Sequence, residues 1–228
     1  MSSFVQLHNH SDYSLLRSTS RISDLVSRAT ELGMSHVALT DDGNLFGAIE
    51  FYEACKSAGV SPIIGCDFAL APEDRHTKSD SEGRFRSQKI LLLAKSEQGY
   101  RNLMKLSSRA YTEGFYYRPR IDDELLQEYH DELICLTGSI SGDIPSLLLK
   151  NRSAEARARA LFYKNLFGDD FYLELNDHGL TEERAVNAQL VALGQELSIP
   201  LVAANESYYL RKEDANAHDI LMCVGNGR

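Results

Sequence analysis

No apolar run in this 228-residue chain approaches the ~18 residues that a membrane-spanning helix needs. The first residues, Met1-Ser2-Ser3-Phe4-Val5-Gln6, lack the basic start and apolar stretch of a secretory signal. Tryptophan is absent, and the four cysteines (Cys55, Cys66, Cys135 and Cys223) form no C-x-x-C pair and no regular spacing. They read as reduced thiols of a cytoplasmic protein without membrane contact. Positive charge is also short: 24 Lys and Arg stand against 33 Asp and Glu, for a net charge of −9. That excludes a generally basic, nucleic-acid-coating surface, so any DNA contact needs a local patch or a separate domain. Internal repeats and low-complexity tracts are missing as well. What is plentiful is apolar side chain, 43% of residues, enough for a sizeable core and too much for disorder. The length fits one large domain or two small ones.

Seven short apolar runs recur along the chain, at residues 5–7, 37–39, 62–64, 90–93, 133–136, 172–175 and 200–203. Most are apolar on both faces and bounded by Gly, Pro, Asp or Asn, the pattern of strands in a buried parallel sheet. Between them, apolar residues at three- and four-residue spacing predict helices over 22–32, 45–58, 97–109, 122–129, 153–166, 182–197 and 212–223. Gly33 and Gly59 supply C-terminal stops to the first two. Alternation of this kind predicts an α/β fold.

Six of the seven runs lead directly into a polar cluster. In order these are His8-Asn9-His10, Thr40-Asp41-Asp42, Gly65-Cys66-Asp67, Thr137-Gly138-Ser139, Asn176-Asp177-His178 and Asn205-Glu206-Ser207. An open doubly wound sheet focuses ligands at one switch point, whereas a closed barrel gathers every strand end at one face. The expectation is therefore one domain, residues 1–228, built as a TIM-like barrel of seven strands. Residues 71–89 break the alternation with a polar, charged stretch that reads as a surface excursion, a solvated loop or a lid. Residues 115–120, Phe-Tyr-Tyr-Arg-Pro-Arg, interleave aromatics with arginine. That mixture suits base stacking and phosphate contact, and equally a loop anchored by packed rings.

The His8-x-His10 pair follows a strand, where residues two apart point to the same side and both imidazoles converge on one ion. Asp42, Asp67 and Glu206 stand at other strand ends, and a barrel would bring them to the same mouth. A mixture of His and carboxylate is the ligand set of hydrolytic zinc or manganese sites. Asp177-His178 is either an acid–base pair or, more simply, a histidine bonded within a strand-end turn. Ser139 and Ser141 are not set in a nucleophile elbow.

Residues 4–16 (FVQLHNHSDYSLL), 39–47 (LTDDGNLFG), 62–67 (PIIGCD), 102–108 (NLMKLSS), 114–122 (GFYYRPRID) and 173–179 (LELNDHG) closely resemble the N-terminal PHP (polymerase and histidinol phosphatase) domain of bacterial DNA polymerase III alpha subunits. The resemblance runs through essentially the whole chain in the family's order. It implies a distorted seven-stranded α/β barrel of the PHP type. It also implies a metal site of up to three ions on nine ligands, which in some family members is a 3′→5′ proofreading exonuclease.

Carried over position by position, His8 and His10 match the family's first motif, while Asp67 stands for a Glu and Glu206 for an Asp. The other positions change in kind: Arg17 stands for an Asp, Asp42 for a His, Lys89 for a His, Ser139 for a Cys and Tyr208 for the final His. Charged Arg and Lys cannot ligate a metal. Yet carboxylates crowded at a mouth repel, each pair at ~5 Å costing roughly 3 kcal/mol at an effective dielectric near 20. Arg17 and Lys89 are expected to replace metal cations there, leaving a remnant with no cofactor or at most one divalent ion (zinc or manganese) on His8, His10, Asp67 and Glu206. Magnesium would serve the full-length polymerase. The implied partners are the rest of the alpha subunit and the epsilon proofreading exonuclease, with DNA held mainly by other domains. An active metallo-exonuclease, a stand-alone PHP phosphoesterase and a pure binding module remain open as alternatives.

Overall fold

The computed structural model describes residues 4–78 and 88–227, and these fall into two compact units: residues 1–66 with 206–228, and residues 67–205. Every helix expected from the spacing is there, as α1 (Ile22–Glu31), α2 (Ala48–Ala58), α3 (Glu97–Thr112), α4 (Asp123–Tyr129), α6 (Ser153–Phe167), α7 (Thr181–Leu197) and α8 (Ala215–Gly225). One more, α5 (Asp143–Leu149), was not expected. It is a seven-residue helix whose Pro145 reads as a breaker, but a proline in the first turn removes no intrahelical bond. The strands are β1 (His36–Leu39), β2 (Ser61–Leu70), β3 (Gln88–Ala94), β4 (Arg120–Ile121), β5 (Leu133–Leu136), β6 (Phe171–Leu175) and β7 (Leu201–Ala203). The expected number, seven, therefore holds for the α/β fold, but with a change of membership.

In the first unit, β1 pairs in parallel with the first half of β2. The run at 5–7, expected as a full strand, makes only single parallel bridges, Gln6 to Val37 and Asn9 to Ser207. Residues 6–10 are nonetheless bonded on both sides: Ala38 and Thr40 donate to Gln6 and Asn9 (3.0 and 2.8 Å), and His10 donates to the Ser207 carbonyl (2.9 Å). The amphipathic face of α1 (Ile22, Leu25, Val26, Ala29) packs with Val37 and Leu39 of β1 and with Phe51 and Cys55 of α2. Burial pushes the Cys55 thiol up to about 11, consistent with an inert, protonated core cysteine. Gly59 ends α2 at φ +72°, a left-handed conformation that glycine adopts without steric cost.

In the second unit, strand order is β2-β3-β5-β6-β7, with the two residues of β4 pairing in parallel with the end of β2. Ile90, Leu91 and Leu92 of β3 are fully buried, as a run apolar on both faces requires. The sheet is not wholly parallel, however: β3 and β5 run antiparallel, from Leu91 opposite Leu136 to Ala94 opposite Leu133. A fully buried strand has the same composition in either direction, so no residue pattern reveals the reversal. Ser96 and Asp122 cap α3 and α4, accepting from the backbone N–H of Gly99 (3.3 Å) and Leu125 (3.1 Å). Of the excursion expected at 71–89, residues 79–87 lie outside the described residues. Gln88 and Lys89 belong to β3, and Arg75 is buried against Asp122 rather than solvated.

Candidate metal centre

Each candidate ligand is set by backbone that the sequence dictates locally. His8 and His10 project from the bonded segment 6–10, two residues apart, and both are fully buried. Their ring centroids lie 5.2 Å apart. The His10 Nδ1 sits 3.4 Å from the Ser207 carbonyl, which only accepts, so Nδ1 carries the proton and Nε2 presents its lone pair in the neutral ring. Glu206 and Tyr208 follow β7, and the Tyr208 ring stacks on His10 at 4.2 Å with the planes 8° apart.

One turn brings Arg17 to the same place. Residues 14–18 fold back through Arg17 and Ser18 N–H bonds to the Ser14 carbonyl (3.0 and 3.2 Å), with Leu16 left-handed at φ +60°. The Ser18 hydroxyl lies 2.7 Å from the His10 carbonyl and 3.0 Å from that of Tyr208, which ties the turn to both histidine-bearing and tyrosine-bearing segments. The Arg17 guanidinium then reaches Asp42 (Nε to Oδ2, 3.2 Å) and the Tyr208 hydroxyl (3.1 Å). Tyr208 in turn donates to Glu206 Oε1 at 2.5 Å. Asp42 also lies 3.9 Å from His10 Nε2.

Asp67 lies within β2, one residue beyond Cys66, and is buried. The Lys89 ammonium donates to its Oδ2. Lys89 enters from the start of β3, not from a strand end, and the antiparallel course of β3 explains this. Lys89 bridges Gly142, just past β5, so the beginning of β3 sits beside the residues that follow β5. Ser139 is buried and within 3.2 Å of the Ser141 hydroxyl.

His8, His10 and Glu206 each offer a ligand atom, all within 4.8 Å of one another. Two imidazoles with a carboxylate are a donor set suited to one divalent ion. Arg17 and Lys89 are cations and offer no lone pair to an ion.

Sequence reasoning missed the layer behind this group. Asp41, not Asp42, is the deeply buried acid, accepting from the Ser11 N–H (2.7 Å), the Ser11 hydroxyl (2.7 Å) and the Ser14 hydroxyl (2.6 Å). Burial pushes its carboxyl above the usual range, while the Ser14 and Ser11 bonds pull it back. His218 of α8, one of the histidines without a supporting pattern, lies 2.9 Å through Nε2 from the Arg17 carbonyl and stacks near Tyr208. No sequence signal marks it, because the contact joins residues 201 apart. His178 is bonded within a turn, but to Glu183 (2.6 Å), not to Asp177.

A family model described as PHP domain matches residues 6–178. The DNA polymerase III subunit alpha of Borreliella burgdorferi is 50% identical over 226 residues, covering 99% of this chain and 20% of that protein. Its counterpart in Treponema pallidum is 48% identical over 224 residues, covering 98% and 19%. The chain thus spans about a fifth of the length of these curated relatives. Among solved structures, a two-domain Bacteroides vulgatus protein containing a predicted PHP-like metal-dependent phosphoesterase aligns with TM-score 0.56 at 10% identity, over 92% of this chain and 53% of that one. At that identity the likeness establishes a shared fold. Fold, histidine pair and matched residues agree: the chain belongs to the PHP domain family.

Proposed function

We propose that this chain is the PHP portion of a longer bacterial replicative polymerase, and that its metal centre has become a set of internal ion pairs serving a scaffolding role. One observation carries the reading: the carboxylates that would hold metals have side-chain partners instead, two by hydrogen bond and one by ion pair. Lys89 is on Asp67, Arg17 on Asp42, and Tyr208 on Glu206. Phosphoester hydrolysis generally relies on two metals to hold the attacking and leaving oxygens. With Arg17 and Lys89 placed where further ligands would stand, that pair of ions has no home. In this reading template-directed DNA synthesis belongs to the longer polymerase. The epsilon proofreading exonuclease is a candidate partner of the scaffold, an assignment that rests on family analogy alone.

A second reading is favoured by the donor set itself. His8, His10, Asp67 and Glu206 would hold one ion, and a bound divalent cation supplies charge to polarise a phosphoryl oxygen. In that case His10 would keep its Nδ1 proton on the Ser207 carbonyl and offer Nε2 as a ligand, and Lys89 would have to release Asp67. Metal analysis of the purified chain, with an assay for manganese-dependent release of 3′ nucleotides, separates the two. The scaffold reading expects at most one ion per chain and no nucleotide release. Two or more stoichiometric ions with sustained release would sink it.

A further inference from the structure

Away from the histidine pair, the second unit carries a surface that the metal centre does not use. The outward face of α3 presents Arg101, Met104, Lys105, Ser108 and Tyr111 in turn, at the three- and four-residue spacing of one helical stripe. Phe115 and Tyr117 continue it past the helix end. Tyr111, Phe115 and Tyr117 are 41%, 54% and 75% exposed, and the first two rings stack with centroids 6.3 Å apart. Large rings left in water singly are ordinary, whereas three in sequence beside cations form a patch.

The turn that bears them is held rigid from beneath. Tyr117 sits at its tip in the left-handed region, φ +61°, between Tyr116 and Arg118, which bridge one another. Below, the buried Arg120 donates to the Gly114 carbonyl and the Arg75 carbonyl (both 3.0 Å), and its guanidinium lies 5.5 Å from the Tyr116 ring centroid. A Cβ at Gly114 would come within 2.0 Å of the Arg120 carbonyl oxygen, so this backbone approach admits only glycine. A strained tip over a fixed base is pre-organised for a ligand rather than for core packing.

Charge completes the picture. Residues 98–120 hold five Arg and Lys and one acid, Glu113, in a chain of net charge −9. Glu113 is itself taken up by Arg109 and Arg75. Lys105 pairs with no carboxylate among the described residues, and the Arg101 pair with Glu97 is exposed and readily exchanged. Cations along about 12 Å of helix, from Arg101 to Arg109, beside exposed rings match a flexible anionic polymer with unpaired bases.

We propose that this α3 stripe and the turn after it bind single-stranded polynucleotide. Bases stack on Tyr111, Phe115 and Tyr117, and phosphates meet Arg101 and Lys105. A duplex keeps its bases stacked within itself and leaves the rings unused. The proposal is independent of the metal-centre reading, whose test reads metal content. Anisotropy of a labelled oligothymidylate, and of its duplex with oligoadenylate, tests it on the 228-residue chain. The single strand is expected to bind at least about tenfold tighter than the duplex and to weaken steeply between about 50 and 200 mM salt. Tyr117→Gly suits the left-handed backbone and so keeps the fold, and it should weaken binding about tenfold, as should Phe115→Ala. Lys105→Glu should lower both affinity and salt slope. Single-strand affinity weaker than about 10⁻⁴ M at low salt, equal affinity for duplex, or unchanged binding by Tyr117→Gly and Phe115→Ala would each overturn the proposal. The first of these is the result expected if another protein segment covers the stripe.

Discussion

Around Asp143 an arginine and a tyrosine satisfy one buried carboxylate, and around Glu206 and Asp42 the same residue types meet two half-buried ones. In the first cluster, Asp143 Oδ2 accepts from Arg159 Nε and the Tyr163 hydroxyl, both at 2.5 Å, and Oδ1 accepts from the Ile144 N–H at 2.7 Å. Arg159 turns Nη1 and Nη2 to Asp123, at 2.5 and 2.6 Å, and Nη2 also donates to the Tyr163 hydroxyl at 2.7 Å. Burial alone would weaken the charge on Arg159, but the Asp123 bonds and the charge of Asp143 outweigh it. Nothing in that cluster is a metal ligand other than carboxylate. In the second, Arg17 and Tyr208 share their donors between Asp42 and Glu206, and two buried imidazoles stand beside them. The first cluster is a closed knot joining α4, α5 and α6. The second sets an arginine–carboxylate ion pair and a tyrosine bond beside a histidine pair. Arginine beside aspartate is therefore no sign of lost or kept chemistry; the imidazoles are what distinguish the two.

The sharpest way to break that comparison is to remove one cation from each side. Arg159→Met leaves Asp143 buried with only tyrosine and backbone donors, and Asp123 without its fork. Chemical denaturation should show a loss near the upper end for a broken buried pair, about 5 kcal/mol, that zinc or manganese does not restore. Lys89→Met keeps the volume but strands Asp67, which is expected to cost about 3 kcal/mol. Here metal should help, because the single-ion reading proposed above takes Asp67 as a ligand. An ion at a hundredfold excess over its dissociation constant returns about 2.7 kcal/mol. Equal responses of the two variants to metal would erase the distinction between knot and site.

How much of this was legible beforehand follows from what each residue must do locally. The buried strands were readable at Ile90–Leu93 and Leu133–Leu136 because both faces are apolar, and α1 and α3 because one face is. Direction was not, since Leu91 is equally buried beside a parallel or an antiparallel neighbour. Nor was β4, whose two residues include Arg120, a cation buried by bonds to the Gly114 and Arg75 carbonyls. In the metal centre, His8-x-His10 was legible from period-two geometry, whereas Arg17 and Lys89 were singled out only through the PHP resemblance. Asp41 was not distinguishable from Asp42, because adjacent acids differ only in which way the chain turns, and the Ser11 and Ser14 hydroxyls that select Asp41 come from a loop about thirty residues away. The long-range contacts of His218 and of Arg75 belong to the same illegible class.

Glu113 gives the smallest and most graded test, because it is a half-exposed counterpart of the Asp143 knot. The Arg109 bond, then that of Arg75, holds its carboxyl down at about 2 from 4.5. With the folded value below the unfolded one, the contribution is fully present above pH 4.5 and is lost as pH falls toward 2. Glu113→Gln should therefore lower the urea midpoint slightly at neutral pH and flatten its decline on the acid side. The shift should shrink in high salt, because a carboxylate 30% exposed is screened. A salt-independent loss as large as that of Arg159→Met would mean that exposure does not separate these clusters, and that bond count alone does.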